Sequence, residues 1–240
     1  MKQLFALLFM AILVPAIHAQ KGLSIGVNGM ALNTNIVNQD TWGNGREYDY
    51  SLTFNTSFGI DLGYGISDNM GIYTGYWFTT LGQNYKDSYS GSEWERKLEL
   101  KYNMIPVMLK FNGTESKVNF LGGAGVIFAS LKEANQEWLR DGQPFTQTIN
   151  NPNTGQSFEL GAEDVTVRFA ESDIMVNIDL GARILLGEKL FLDVTANFGY
   201  GFKDINAEDW QIVNGSGEYD PSHNAFGGLK LGLAYKLFGN

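Results

Sequence analysis

Apolar and polar residues alternate along most of the chain after residue 20. In residues 174–186, every second position is apolar, and the positions between include an asparagine, an aspartate and an arginine. A period of two is typical of a β-strand whose two faces meet different surroundings. The pattern predicts eight strands, at about 22–32, 52–67, 70–83, 97–111, 117–131, 172–186, 189–203 and 224–238.

Two irregularities accompany this pattern. The third and fifth segments alternate poorly, so the sequence does not fix which of their faces is which. The fourth segment changes phase near Ile105-Pro106. Proline cannot donate a ladder hydrogen bond, and an inserted residue reverses the facing of a strand. We therefore expect a bulge or an edge irregularity near this position.

The connections between the strands alternate strictly between short and long. Three are tight turns, at residues 67–69, 112–116 and 187–188. The other four are long and polar, at about 33–51, 84–96, 132–171 and 204–223. An up-and-down antiparallel barrel with one trimmed end and one elaborated end gives this order, whereas Greek-key crossovers do not. An even number of strands places both chain ends at the short-turn end.

Periodicity alone does not say which face points outward, because a membrane barrel reverses the arrangement of a soluble one. The polar face is rich in glycine and carries isolated charges of both signs, which suits a narrow lumen with paired charges. The segments are also long enough for a tilted crossing, and aromatic residues lie near their ends. We therefore predict an all-β, eight-stranded transmembrane barrel in the cell outer membrane, with short periplasmic turns and long extracellular loops. The candidate lumen ion-pair network consists of Asp61, Glu99, Lys101, Asp179, Arg183, Asp193, Lys230 and Lys236.

The first 19 residues have the composition of a secretory signal peptide. Lys2 precedes an unbroken apolar run over 4–14, Pro15 ends the run, and Ala19 is a suitable last residue before cleavage. The apolar run is too short to cross a bilayer as a helix. We expect residues 1–19 to be removed and residues 20–240 to form the barrel domain.

Composition narrows the possible chemistry. The 240 residues include no cysteine, which excludes disulfides, zinc–thiolate sites and iron–sulfur clusters. The formal net charge is -9, and the four long connections contain all of the net acidity, so we expect no nucleic-acid partner. The acidic loops would keep the protein soluble and repel other acidic surfaces, or would offer a docking face for a basic partner or divalent cations.

Four of the five tryptophans, Trp42, Trp94, Trp138 and Trp210, fall in the long connections. Exposed tryptophan can mark a binding surface. It can equally pack loops against one another or lie at the outer lipid interface. These four residues are candidate loop contacts, through which extracellular or secretion-machinery proteins could bind.

No catalytic, cofactor or metal site is recognisable. His223 is the only histidine of the predicted mature chain, and it follows Asp220-Pro221-Ser222 directly, a sequence typical of a turn. We therefore expect a non-enzymatic protein without cofactors, with outer-membrane lipid as a partner and a structural or surface-interaction role. The alternatives are a narrow channel or accessory component of secretion or transport, and a soluble periplasmic barrel that binds an apolar ligand.

Two successive segments have a distinctive sequence: LELKYNMIPVMLKF (98–111) is followed, after a short turn, by FLGGAGVIFASL (120–131). With these segments and with residues 71–85 and 229–238, the chain resembles the PorT-like outer-membrane β-barrel proteins of Bacteroidetes. The resemblance extends over essentially the whole predicted mature chain. It implies an outer-membrane barrel and, through the founding member, a relation to type IX secretion components, although most relatives have no assigned role.

Overall fold

The computed structural model describes residues 22–38, 49–113, 116–213 and 218–238. The predicted signal peptide and Trp42 lie outside these ranges. The described residues form eight long antiparallel strands, and the pairing of the last strand with the first closes the ring. The strands are β1 (Leu23–Asn38), β2 (Phe54–Gly65), β3 (Met70–Tyr89), β4 (Ser92–Asn112), β5 (Val118–Arg140), β6 (Ser172–Leu185), β7 (Leu190–Gly201) and β8 (Ser222–Lys236). This ring confirms the predicted up-and-down barrel.

Short elements lie between the strands at the elaborated end. Asp49–Ser51 pairs with β3, Gln143–Pro144 pairs with β5, and Thr148–Asn150 forms a small hairpin with Ser157–Glu159. Thr166–Arg168 and Glu208–Trp210 are single turns of 3-10 helix. Among the described residues, no helix is long and apolar enough to cross a membrane.

The register of the pairing shows that the strands are staggered. From Val176, the pairing through β7 reaches Ala225 of β8. Followed the other way around the ring, the same row reaches Tyr235, ten residues further along β8. Such a stagger requires the strands to tilt against the barrel axis, typically by about 35–45°.

The outer surface of the ring is an apolar belt. Ile178 is 42% exposed, Phe198 50% and Leu231 48%, although each lies in the middle of a strand. The alternate positions of β6, including Asn177 and Asp179, are fully buried inside the ring. The predicted facing is therefore confirmed, because a surface of this kind is stable only when lipid replaces water around it.

The predicted phase change in the fourth strand is wrong. In β4 the even-numbered residues point inward from Leu98 to Lys110, so the facing never reverses. What changes along the strand is the polarity of its outward and inward residues. Toward the short turns, the outward residues are apolar, as at Ile105 and Val107, whereas further up the strand Glu99 points outward and the inward residues are apolar. The apparent phase change marks the level at which the strand leaves the lipid and enters water.

The bulge lies farther from the short turns than predicted, and the inserted residue belongs to the neighbouring strand, β5. The register between β4 and β5 shifts between Lys101 and Tyr102, where Lys132 of β5 has no partner opposite it. The extra residue reverses the facing of β5, so Ala129 and Ala134 are both buried although their numbers differ in parity. The shift lies just beyond the predicted fifth segment. Within that segment the facing is regular, but inward residues such as Leu121 and Ile127 are apolar like the outward ones, which accounts for its poor alternation.

Two connections predicted as long loops are partly regular structure. Residues 84–96 form a hairpin whose turn is Ser90-Gly91, where both residues have positive φ. Residues 132–140 continue β5. Alternation persists in both stretches, but their outward side chains are polar. A search for strands with apolar outward residues therefore assigns both stretches to loops. We call residues 84–97 and 133–140 the projecting sheet.

The extracellular part of the barrel has its own apolar core. Residues 141–171, which we call the cap, fold back over the barrel and bury Val165 and Phe169, and Ile205 from the 202–221 connection is buried beside them. The interior is therefore apolar above the lipid and polar within it. The core cluster comprises Met30, Leu32, Ile36, Trp77, Leu81, Leu98, Leu100, Tyr102, Met104, Ile127, Ala129, Ala134, Val165, Phe169, Met175, Ile205 and Phe226.

Candidate functional site

Three ion pairs fill the lumen within the membrane. Lys110 Nζ lies 2.9 Å from Asp179 Oδ2, and Lys230 Nζ lies 3.3 Å from Asp61 Oδ2. The third pair joins Arg183 to Asp193. Each cation has an acidic partner, so the network is electrically neutral. Pairing of this kind offsets the large cost of removing charges from water.

Trp77 anchors one end of the network. Its indole Nε1 donates a hydrogen bond of 2.7 Å to Asp61 Oδ1, and the Lys230 ammonium lies 4.0 Å from the centre of its ring. The inward glycine Gly75 makes room for this contact, since a Cβ atom there would lie 2.6 Å from Asp61 Oδ1. The arrangement holds Asp61 and Lys230 in place between the rigid indole ring of Trp77 and the barrel wall.

Arg183 closes the lumen toward the periplasm. Its Nε and Nη2 each donate to Asp193 over 2.8 Å, while Nη1 donates to Tyr73 Oη over 3.2 Å. The guanidinium carbon lies 4.0 Å from the centre of the Phe191 ring. Below this floor is a vestibule of about 440 Å³, lined by the three short turns, the start of β1 and the end of β8.

The lumen is interrupted above the vestibule. The next cavity along the lumen, beside Lys230 and Thr195, holds only about 20 Å³, roughly the space of one water molecule. Asn177 and Asn197 exchange amide hydrogen bonds of 3.3 and 3.0 Å at the next level, and the apolar core lies beyond them. The described side chains therefore plug the barrel in two chemically different layers.

The structure brings together five of the eight residues predicted for the lumen network: Asp61, Asp179, Arg183, Asp193 and Lys230. Lys236 belongs to the inward row but lines the vestibule. Lys110 was missed, because it stands in the apolar stretch 104–111 of β4. Its inward parity, shared with Met108, was the signal that could have identified it.

Glu99 and Lys101 correct the prediction. They lie on the outward face of β4 above the belt, where Lys101 pairs with Glu133 of β5 at 3.2 Å. They were assigned to the lumen on the assumption that polar residues face inward throughout, which fails above the lipid. A hydrogen bond from Asn135 and the charge of Lys101 lower the pKa of the Glu133 carboxyl.

The outward face of the projecting sheet carries matched cross-strand charges. Lys86 pairs with Glu95 at 2.9 Å, and Lys97 pairs with Glu137 at 2.8 Å. The hydrogen bond and charge of Glu137 raise the pKa of Lys97. Opposite charges on facing residues are favourable, although each exposed pair contributes little. This face is densely charged and solvated.

The inward face of the same sheet carries a ladder of aromatic and arginine side chains. Tyr85, Arg96 and Trp138 are direct cross-strand neighbours on β3, β4 and β5. The Arg96 guanidinium carbon lies 5.8 Å from the Tyr85 ring centre and 5.5 Å from that of Trp138. In the next row, Arg140 lies 5.2 Å from the Trp94 ring, and Trp94 also packs edge-on against Phe145.

Gln136 joins the ladder to the cap. Its Oε1 accepts hydrogen bonds from Arg96 Nε at 3.1 Å and from Trp138 Nε1 at 3.0 Å. Its amide nitrogen donates to the carbonyl oxygens of Leu160 and Ala162 at 2.6 and 3.0 Å. The side chain is buried, and its two bonds within the sheet and two bonds to the cap use both its oxygen and its amide nitrogen.

The cap contains a second stack. The Arg168 guanidinium carbon lies 4.8 Å from the ring centres of both Phe158 and Trp210. Its Nη2 donates to the backbone oxygen of Glu159 at 2.6 Å. Burial and the charge of Arg96 lower the pKa of Arg168. Gln136 donates to Leu160 and Arg168 to Glu159, so the two stacks meet the same segment of the cap. Together they form what we call the arginine–aromatic cluster: Tyr85, Trp94, Arg96, Trp138, Arg140, Phe145, Phe158, Arg168 and Trp210.

The predicted loop tryptophans are located as follows. Trp94 and Trp138 lie on strands rather than in loops, because β4 and β5 extend beyond the membrane. Trp210 lies in a 3-10 turn against Phe158, with the two ring centres 4.7 Å apart. The described part of the chain thus gathers three of the four into one cluster.

Ser222 and His223 have contacts with neighbouring segments rather than with each other in the described structure. The Ser222 hydroxyl accepts hydrogen bonds from Asn38 at 2.9 Å and from Asn206 at 3.2 Å. His223 Nδ1 lies 3.1 Å from the backbone oxygen of Lys203. Among the described residues, no group of three or more His, Cys, Asp or Glu residues could hold a metal ion.

The closed ring and its lipid-facing belt decide the class of protein. The chain is an outer-membrane β-barrel protein. Similar solved structures include OprG from Pseudomonas aeruginosa, at 14% identity and a TM-score of 0.47 over 92% of this chain and 98% of that one. Neisserial surface protein A is 14% identical, with a TM-score of 0.45 over 90% of this chain and 97% of that one. Ail, the attachment invasion locus protein of Yersinia pestis, is 13% identical, with a TM-score of 0.42 over 89% of this chain and 99% of that one.

No model of a known protein family matches the chain, and no curated protein matches it in sequence. Identities this low concern the fold alone, so the structural likenesses do not assign a function.

Proposed function

We propose that this protein is a non-enzymatic surface-interaction protein, in which the barrel is an anchor and the extracellular part makes the contacts. The observation that carries the proposal is the contrast between the two halves. The lumen is sealed by paired charges and by an apolar core. The extracellular half is folded and presents the arginine–aromatic cluster, in a part of the molecule that anchoring in lipid does not require.

A narrow channel or an accessory role in secretion is the second candidate. The vestibule of about 440 Å³ at the periplasmic mouth favours it, because a cavity of that size can receive a ligand or a peptide. The PorT-like resemblance points to the same role, and its segments 98–111 and 120–131 belong to the paired strands β4 and β5. Export by a signal peptide over residues 1–19 is part of either proposal.

Single-channel recording on folded protein in planar bilayers tests the channel candidate. We expect no unitary conductance, since conduction would require the ion pairs and the apolar core to move together. A steady unitary current from protein that shows the heat-dependent gel mobility of a folded barrel would contradict our proposal. Arg183→Ala should then raise the current, because Arg183 forms the periplasmic floor of the lumen.

A surface role is tested on whole cells. Cells that carry the protein are compared with cells that carry a variant in which residues 141–162 are replaced by a short glycine–serine linker. We expect the variant to reach the membrane in equal amount and to reduce adhesion to protein-coated surfaces and to other cells. Equal adhesion by both kinds of cell would contradict a role for the extracellular part.

A further inference from the structure

The apolar belt has a sharp extracellular border on β5, β6 and β7. Its last outward residues there are Phe128, Ile174 and Phe202, and all three are exposed. Ile174 pairs with Phe128, and its carbonyl oxygen accepts a hydrogen bond of 2.9 Å from the Phe202 N–H, so the three residues are neighbours. The next residues toward the extracellular end include Ser172 and Lys203. Aromatic residues at the end of an apolar belt lie at the level of the lipid headgroups.

The side chain of Lys203 lies against the start of β6. Its Nζ donates a hydrogen bond of 3.0 Å to Ser172 Oγ, and the Ser172 hydroxyl keeps its own hydrogen for a further acceptor. The Lys203 backbone is held on both sides, because its N–H donates to Asp173 Oδ1 at 3.3 Å and its oxygen lies 3.1 Å from His223 Nδ1. An ammonium and a hydroxyl are therefore presented together at the border of the belt.

The lysines above the lipid fall into two groups. On the projecting sheet, Lys86, Lys97 and Lys101 pair with glutamates at 2.9, 2.8 and 3.2 Å. Lys132 and Lys203 are exposed as well, but among the described residues neither forms an ion pair with a carboxylate. The two lysines without an acidic partner are thus the two nearest to the lipid.

Lys132 belongs to the same region as Lys203. It is the inserted residue of the bulge, at the level where β4 leaves the lipid. Ser130, two positions before it, pairs with Ser172. Lys132 and Lys203 therefore flank the start of β6 from its two neighbouring strands, and we call Lys132, Ser172 and Lys203 the lysine rim.

The carboxylates of this region do not neutralise the rim. Asp173 is buried in the barrel and accepts a hydrogen bond of 3.0 Å from Asn224. Asp204 accepts hydrogen bonds from the Tyr219 hydroxyl and from two backbone N–H groups. Glu171 is exposed, and it forms no ion pair with either lysine in the described structure. The rim therefore keeps positive charge beside the lipid.

We propose that the lysine rim binds the phosphate group of an anionic lipid in the outer leaflet. Lysine binds phosphate as a point charge, and basic residues beside an apolar surface attract anionic headgroups. The rim is continuous with the lipid-facing belt, so a lipid whose phosphate meets Lys203 can lay its acyl chains on Ile174 and Phe202. This inference goes beyond the proposed surface role and does not depend on it, because it concerns the lipid around the anchor.

The test is a lipid titration of the protein folded in a non-ionic detergent, followed by native mass spectrometry, which counts the lipids bound to each protein. The probes are phosphatidic acid, which carries a phosphate monoester, and phosphatidylcholine with the same acyl chains. We expect the first molecule of phosphatidic acid to bind at least about tenfold more tightly than phosphatidylcholine. Equal affinities for the two lipids would overturn the proposal.

Variants of the rim and its surroundings should change the affinity in opposite directions. Lys203→Gln should weaken the binding of phosphatidic acid about tenfold, which is the effect of losing one charge-assisted hydrogen bond. Lys203→Arg should keep most of the affinity, because the charge remains. Glu171→Gln should strengthen binding, because it removes a carboxylate that repels the phosphate. Wild-type affinity in Lys203→Gln would contradict the proposal.

Lys97→Gln and Lys189→Gln are the matched controls. Each removes one positive charge from an exposed position, as Lys203→Gln does, but Lys97 lies above the lipid and Lys189 at the short-turn end. We expect the affinity of either control to change less than about twofold. All variants must keep the heat-dependent gel mobility of the folded barrel. A tenfold loss in either control would overturn the proposal, since it would reduce the effect to net charge.

Inorganic phosphate separates a lipid from a soluble ligand. Added in large molar excess, it should leave phosphatidic acid bound, because the acyl chains contribute apolar contacts with the belt that free phosphate lacks. Complete displacement of the lipid by inorganic phosphate would overturn the proposal in favour of a soluble phosphate compound.

Discussion

Lys110 and Asp179 form an ion pair inside the barrel, with 2.9 Å between Nζ and Oδ2 and with both side chains almost completely buried. Lys110 comes from β4 and Asp179 from β6, so the pair spans the lumen over β5. Each charge depends on the other, because neither can reach bulk water. The pair therefore fixes the distance between two walls of the barrel and closes its interior at the same time.

Lys110→Met should destabilise the barrel by about 3–5 kcal/mol, because it leaves the Asp179 carboxylate buried without a cation. The free energy of unfolding is measured by urea titration of the protein folded in vesicles, with tryptophan fluorescence and gel mobility as readouts. The double variant Lys110→Met, Asp179→Leu should recover most of the loss, since an apolar pair removes both charges. Lys189→Gln, which removes an exposed lysine at the vestibule, is the control and should change little.

Ile178→Arg should impair membrane insertion. Ile178 lies on the outward face of β6 and is 42% exposed, so an arginine there would face lipid at a cost of about 2–4 kcal/mol near the midplane. Glu99→Arg is the matched control, because Glu99 also points outward but lies above the lipid. The folded fraction in the outer membrane decides the matter: normal insertion of Ile178→Arg would mean that the belt is misplaced.

Gln136→Leu should release the cap from the projecting sheet without unfolding the barrel. The change removes the four hydrogen bonds that join Arg96 and Trp138 to the backbone of residues 160 and 162. Each is worth about 0.5–1.5 kcal/mol, so limited proteolysis within 141–162 should become at least about tenfold faster. Glu137→Gln alters the neighbouring residue on the opposite face, and cleavage should stay at the wild-type rate. A Gln136→Leu protein with an unchanged cleavage rate would show that other contacts hold the cap.

Acid should loosen the cap at Asp164. This carboxyl accepts a hydrogen bond of 2.9 Å from the backbone N–H of Thr166, which lowers the pKa of Asp164 below its ordinary value. Its contribution is therefore fully present above the pKa of the unfolded chain and is lost as the pH falls through the lower pKa of the folded protein. Amide exchange at residues 163–170 should speed up below about pH 4.

Asp164→Asn provides the comparison for the acid effect. The asparagine oxygen can still accept from Thr166 but does not titrate, so this part of the pH dependence should disappear. If exchange in the variant depends on pH as strongly as in the wild type, another carboxyl is responsible. Glu133 is then the candidate carboxyl, because Asn135 and Lys101 lower its pKa.

The sequence predicted well those features that each strand expresses alone. Ile178 faces lipid and Asp179 faces the lumen, so two adjacent residues differ in polarity. That difference is visible in the sequence without knowledge of any distant contact. The strand number and the alternation of short and long connections follow from the same local pattern. The lumen charges Asp61, Arg183, Asp193 and Lys230 are identified on this basis, although the pattern does not say which of them pair.

The prediction failed where the surroundings change along one strand. β4 keeps its facing from Leu98 to Lys110, yet its outward residues change from charged to apolar as it enters the lipid. A rule that assigns polar residues to the lumen therefore misplaces Glu99 and Lys101. Because the outward residues of the projecting sheet are polar as well, the sequence pattern predicts loops there and places its tryptophans in those loops.

By itself, the sequence determined the class of fold, the strand order and the apolar belt, because a period of two depends only on neighbours along the chain. The tertiary structure alone decided which charges pair, where the lumen is sealed and how Gln136 joins Arg96 to the backbone of the cap. These relationships join residues tens of positions apart, across a ring whose stagger is set by the pairing of all eight strands. Pairing partners and stagger are properties of the closed barrel, so a pattern that depends only on neighbouring residues does not predict them.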